Sequence, residues 1–170
     1  VQTRIGQLHV GIAKEFGAGV EQATVIGDGS RVSLPFAAYA NGNLGFALDY
    51  EDMVFAVVHP GFATVGAGLP LAEHRRASGR ELLAAIAVGY EVSTRIGLAV
   101  QPSHYKYWHT TGTIGTYGAA AAVATILKLD REKFAHALAT SATMAAALQQ
   151  AFRSDSMSKP LHAGHAAEAG

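Results

Sequence analysis

Three stretches of this sequence carry side chains able to move protons or hold anions. "DYEDMVFAVVHPG" groups Asp49, Glu51 and Asp52 with His59. "HTTGTIG" sets His109 ahead of Thr110, Thr111, Gly112 and Thr113, and "SKPLHAGH" sets Lys159 ahead of Pro160, with His162 and His165 beyond. An acid, two histidines and a lysine form a set that suits a small polycarboxylate whose α-proton must move. Removing a proton α to a carboxylate builds enolate-like charge, which needs a base and electrostatic stabilisation. Loss of hydroxide needs a general acid, and histidine serves in either role because it titrates near neutrality. Lysine holds a carboxylate as a point charge.

Each residue also has a plainer reading. His59 and His109 could cap helices or pack loops, and Asp49, Glu51 and Asp52 could form a solvated face. Lys159 could be solvated, although a cation at a helix N-terminus is disfavoured and a bound anion would explain it better. His162 and His165, three apart on one helix, could ligate a metal. No third ligand is evident, so no metal is expected. His9, His74, His104 and His136 read as surface or incidental.

The elements that must position these groups are mostly helical. Apolar residues at Ile5, Leu8, Ile12 and Phe16 predict a helix over 3–16. β-branched residues flanking Gly27-Asp28-Gly29 predict one short hairpin near 23–33. Ser33 is a plausible N-cap with Pro35 in the first turn, and the helix it opens reads through Asp52. The Asn-Gly at 41–42 lowers propensity, so close packing or a break must compensate. His59 precedes a proline and belongs at a helix boundary. Further helices are expected over about 63–77, 79–97, 111–127 and 131–152, with Asp130 as an N-cap, and a last one from Pro160. Two of these starts, after His109 and at Lys159, offer unpaired N–H groups and a positive dipole end. At the first of them the hydroxyl of Thr111 and the bare backbone of Gly112 could receive an anion.

Composition narrows the function class. Of 170 residues, 49% are hydrophobic and 15% charged, below the usual ~25%, so much surface is hidden in a core or against other protein. Net formal charge is zero and basic residues do not cluster, which argues against nucleic acid. The longest stretch free of charged residues, Tyr107–Leu127, holds His109, threonines and glycines in its first half. It reads as a buried helix rather than a membrane span. With no cysteine, disulfides and thiolate metal centres are excluded from this sequence, and the expected location is the cytoplasm.

Together "AAYANGNLGFALDYED…HPG", "HTTGTIGTYGAAAAVATILKLD" and "MSKPLHAGHAAEAG" resemble the MmgE/PrpD family. That family includes 2-methylcitrate dehydratase, cis-aconitate decarboxylase and iminodisuccinate epimerase. The likeness covers nearly the whole chain in the same order and with similar spacing. It implies a helical domain plus a smaller α/β lid, assembled as a homodimer. The expected fold is therefore all-α, a compact multi-helix domain with one hairpin. Residues 1–170 would form a single partial helical domain, cut at both ends and lacking the lid. By the same resemblance Asp49, His59, His109 and Lys159 match positions that line the family's active site. His59 and His109 would be acid/base groups, Asp49 would orient or share a proton with a histidine, and Lys159 would bind a substrate carboxylate. No metal or cofactor is implied. The implied activity is a metal-independent lyase on a small polycarboxylate, most simply a 2-methylcitrate-type dehydratase, with epimerase or decarboxylase as alternatives. Met53 stands where the decarboxylase carries a threonine, and a thioether is no hydroxyl donor. A reading of another class is a helical oligomerisation module, inactive without the lid.

Overall fold

A computed structural model describes residues 1–55, 58–154 and 156–170. Among these the chain forms seven α-helices and one two-stranded antiparallel sheet: α1 Arg4–Phe16, β1 Ala23–Thr24, β2 Arg31–Val32, α2 Leu34–Phe46, α3 Pro60–Arg75, α4 Gly79–Val100, α5 Thr110–Ile126, α6 Arg131–Met144 and α7 Ser158–Ala169. The mostly-α fold expected from the sequence is the one observed, and the hairpin pairs Ala23 with Val32. Local chemistry sets several starts. The Thr3 hydroxyl accepts from Gly6 N–H, Ser78 and Glu81 close a capping box, and Asp130 accepts from Lys133 N–H.

The stretch free of charged residues becomes α5, the centre of the domain, which α3, α4, α6 and α7 all contact. α4 is the one described helix whose length and composition would permit a membrane span. Its buried face is Ala85, Gly89, Ser93 and Gly97, and its outer face carries a Glu91–Arg95 ion pair.

Small residues govern how closely the helices approach. The core between α2, α3, α5 and α7 is built from Ala38, Ala63, Ala67, Ala119, Ala166 and Ala167. α2 and α7 cross where Gly42 faces Gly164. A Cβ at Gly164 would lie 2.0 Å from the Asn43 amide nitrogen and 2.4 Å from the Tyr39 carbonyl oxygen. Close packing thus compensates the low propensity of the Asn-Gly. Gly164→Ala is expected to destabilise the domain by about 1–3 kcal/mol through overpacking, read as a lower urea midpoint at unchanged slope.

Five expectations change. α1 buries Gly6, His9, Val10 and Ala13 rather than the larger apolar residues, and Leu8 and Phe16 are exposed. Its small residues let it sit close on α2, where buried His9, expected at the surface, bonds Tyr39 Oη at 2.7 Å. α2 stops at Phe46 instead of running to Asp52, and Asp49 takes a left-handed backbone (φ 52°) that aspartate tolerates better than most residues. The acidic cluster therefore rides on a loop. α6 ends at Met144, because the next residues pair with the strand-like segment before α5: His109 N–H donates to Ala147 C=O and Gln149 N–H to Tyr107 C=O. α7 begins at Ser158, so Lys159 lies within its first turn.

Candidate active site

The buried ring of Phe46, at the end of α2, is the hub of the site. His59 lies 5.9 Å from it and His109 6.0 Å, centroid to centroid, and the Lys159 ammonium sits 5.3 Å above its centre. Three of the four residues singled out by the sequence thus gather round one phenyl group, and Asp49 joins through Lys159, whose ammonium is 2.5 Å from Asp49 Oδ2. A cation in the first turn of a helix is disfavoured by the dipole. The Asp49 carboxylate and the face of Phe46 offset that cost at Lys159.

His59 and His109 are the N-caps of α3 and α5, and neither side chain bonds its own helix start. The two starts adjoin, since His59 N–H donates to the Thr111 hydroxyl at 3.4 Å. Both rings are thereby directed away from capping, beside positive dipole ends that suit an anionic ligand. The Gly in His-Pro-Gly is required by packing: a Cβ at Gly61 would lie 2.5 Å from Asp52 Oδ1 and 2.8 Å from Tyr90 Oη. Burial together with the Asp52 charge pushes the Tyr90 hydroxyl up to about 12. Gly112 also serves packing. A Cβ there would meet Ala147 Cβ at 2.4 Å, and its N–H donates to His109 C=O.

The tautomer of His59 follows from its partner. Its Nδ1 is 2.9 Å from the Asp52 carbonyl, which can only accept, so Nδ1 carries the proton and Nε2 holds the lone pair. Glu51 Oε1 also comes within 3.0 Å of Nδ1. That approach lacks hydrogen-bond geometry, and among the described residues neither Glu51 oxygen has a hydrogen-bond partner although its side chain is 1% exposed. Burial first, then the charges of Asp49 and Asp52, push the Glu51 carboxyl up to about 8, with Lys159 opposing. Geometry suggests an ion pair and burial suggests a neutral acid. With no hydrogen bond to stabilise the anion, the resting group is the neutral acid.

This has a stability consequence. The unfolded chain loses the Glu51 proton near 4.5, whereas the folded chain keeps it to about 8. Stability from this group is full below the lower value and falls as pH rises across that window. Glu51→Gln, an uncharged mimic of the acid, is expected to flatten the decline in melting temperature between pH 5 and 8.

His109 is 2% exposed. Burial, reinforced by His162, Lys159 and His59, pushes its imidazole down to about 3, so it rests neutral. Its Nδ1 is 2.8 Å from Nδ1 of His162. Sequence reasoning missed this partner, along with Phe46, Glu51 burial and Tyr90. A signal for His162 was available: it lies three residues after Lys159 and so shares its helix face. Asp49, Glu51 and His59 can bring one ligand atom each within 4.8 Å of one another. Their chemistry fits a metal poorly, because Glu51 is held protonated and the Lys159 ammonium already occupies Asp49. What the arrangement offers is a neutral base, a second imidazole of fixed tautomer, a cation and two adjoining helix starts.

Comparison with known proteins points the same way. A family model, the MmgE/PrpD N-terminal domain, matches residues 2–170. Cis-aconitate decarboxylase of Homo sapiens is 32% identical over 146 residues, covering 82% of this chain and 30% of the human protein. The Mus musculus cis-aconitate decarboxylase matches at the same identity and coverage. The chain thus spans about 30% of the length of these curated relatives.

Proposed function

Because this chain belongs to the MmgE/PrpD family, whose N-terminal domain it matches from residue 2 to 170, we propose that it supplies the acid/base centre of a metal-independent lyase acting on a small polycarboxylate, a 2-methylcitrate-type dehydratase. The observation that carries this reading is the gathering of His59, His109 and Lys159 around Phe46, with Asp49 on Lys159.

Lys159 binds a substrate carboxylate, exchanging part of its contact with Asp49 for it, and the starts of α3 and α5 add positive potential; Thr111 and Gly112, expected to receive the anion, are instead taken up by His59 N–H and by packing on Ala147. His109 takes the α-proton on Nε2, since its Nδ1 is engaged with His162. Its neutrality makes it available as a base at physiological pH. His59 takes a second proton from solvent on Nε2 and hands that proton to the departing hydroxide, which returns it to its resting form. The enolate-like charge that develops faces Lys159 and two helix N-termini. The reading includes a homodimer, supported by the exposed Leu83 and Leu98 on the outer side of α4 and checked by light scattering.

A second reading, cis-aconitate decarboxylation, is favoured by what the two curated relatives are named for. Met53 counts against it, since its exposed thioether offers no hydroxyl at a loop position beside Asp52. The test is a screen of the full-length protein against 2-methylcitrate, citrate, cis-aconitate and iminodisuccinate, followed by ultraviolet absorbance and proton NMR with and without EDTA. Alkene formation from 2-methylcitrate, unaffected by chelator, supports the first reading. Carbon dioxide release from cis-aconitate replaces it with the second. Silence on all four, or loss of activity in EDTA, contradicts it.

A further inference from the structure

From sequence, His162 suggests half of an i, i+3 metal pair with His165; the structure turns it into His109. The rings lie 5.1 Å apart at 49°, with Nδ1 facing Nδ1 at 2.8 Å. Two imidazole nitrogens at that distance bond only if one proton lies between them, so neutral rings must hold opposite tautomers. When His109 Nδ1 donates, its Nε2 has a lone pair and is a base. When His162 Nδ1 donates, His109 Nε2 carries a proton and is an acid. Converting one state to the other takes the shift of the shared proton together with gain of a proton at His109 Nε2 and loss of one at His162 Nε2; gain at His109 Nε2 alone, with the shift, leaves His162 as the imidazolium.

The two rings differ in surroundings. His109 is sealed in, at 2% exposure, under Phe46. His162 is partly exposed and borders a cavity of about 300 Å³ lined by Leu148, Gln150, Ala151, Ser154 and Ser158, where backbone and hydroxyl groups can solvate a charge. Burial lowers the basicity of both rings, and His165 adds to the effect at His162. A positive charge is most costly on the more deeply buried ring.

Resting on the acid/base reading of the site, we infer that His162 is a positioning residue for His109: it fixes the tautomer of His109 and takes over the charge that proton abstraction creates. In that step the substrate C–H bond breaks, its proton goes to His109 Nε2 and its electron pair to the enolate. The His109 Nδ1 proton shifts to His162 Nδ1, leaving His109 neutral and His162 an imidazolium at the cavity. When the C–O bond breaks, hydroxide leaves as water with a proton from His59. After product departs, the proton on His109 Nε2 passes to solvent, the Nδ1 proton returns from His162, and the resting forms are restored.

Chemical rescue tests this in the full-length protein. His162→Ala is expected to lower kcat by about 10²-fold, to leave KM within a few-fold, and to recover with added imidazole, which fits the vacated space. His162→Gln, which keeps the packing but cannot become a cation, is expected to lose kcat without rescue. Unchanged kcat in both variants overturns the inference. So does loss in variants that melt like wild type when imidazole restores nothing. A readout independent of turnover is the histidine ring nitrogen NMR of the wild-type protein, where the signals of His109 and His162 are expected to shift together with pH, as one coupled pair. If no polycarboxylate is turned over but the two rings respond as a pair, the lyase reading fails and the pairing of His162 with His109 stands. If the rings titrate independently, the inference fails whatever the turnover.

Discussion

His109→Gln in the full-length protein is expected to reduce turnover by about 10²–10⁴-fold, the range for losing a positioned general base, with little change in KM. Glutamine has similar reach and can still bond His162, but it cannot accept a proton. The buried site can hold an amide, so circular dichroism and thermal melting should match wild type. His109→Asn, shorter by one carbon, gives a second measure of the same loss. Full activity in both variants would remove His109 from the mechanism. The effect is large because His109 has the features a neutral base needs: burial at 2% exposure that, with the Lys159 ammonium nearby, keeps it unprotonated, and a ring held from one side by His162.

The second large effect is expected at Lys159. Lys159→Met keeps an apolar stem over Phe46 and deletes the ammonium. Truncating one member of a hydrogen-bonded charge pair costs about 3 kcal/mol, or about 10²-fold in kcat/KM. The loss should fall mainly on KM, because in the proposed mechanism the lysine holds a carboxylate that substrate and transition state share. Arginine should rescue only in part, since its planar fork does not reproduce a point charge. Asp49→Asn should cost less. Its side chain is 51% exposed, and asparagine also tolerates the left-handed backbone there. A Lys159→Met variant with unchanged KM and kcat would place substrate binding elsewhere.

Much of this site was legible from single stretches. The His-Pro pair placed His59 at a helix boundary, and the run of threonine and glycine after His109 marked a helix start. Both are local signals, set by backbone preferences within a few residues, and both residues are N-caps in the fold. The helix ends were less legible. Propensity allowed α2 to continue past Phe46 and α6 past Met144; the chain instead leaves α2 through a left-handed Asp49, and tertiary pairing follows the end of α6. The pairing of residues 145–149 with 107–109 is not written in either segment alone. Partners far apart in the chain were the least legible. Asp49 and Lys159 are 110 residues apart, and His109 and His162 are 53 apart. What joins them is the close crossing of α7 over α2 and α5, which depends on Gly42, Gly112 and Gly164. From sequence Gly42 signalled a weak helix and Gly112 an anion's approach to the backbone, and their meaning as contact points appeared only with the neighbour in place. Glu51 reads as one more solvated acid until the loop buries it beside His59.

The central claim is that this site moves a proton on a carbon α to a carboxylate by acid/base chemistry, and solvent labelling tests it most directly. The full-length protein would be incubated in deuterium oxide with each of 2-methylcitrate, citrate, cis-aconitate and iminodisuccinate until equilibrium, and proton NMR would read the carbon skeleton. The account predicts one solvent deuterium at the α-carbon of a hydrated, epimerised or decarboxylated species with wild-type protein, and none with His109→Gln. Turnover whose carbon skeleton takes up no deuterium, or equal labelling by the His109→Gln variant, would contradict it.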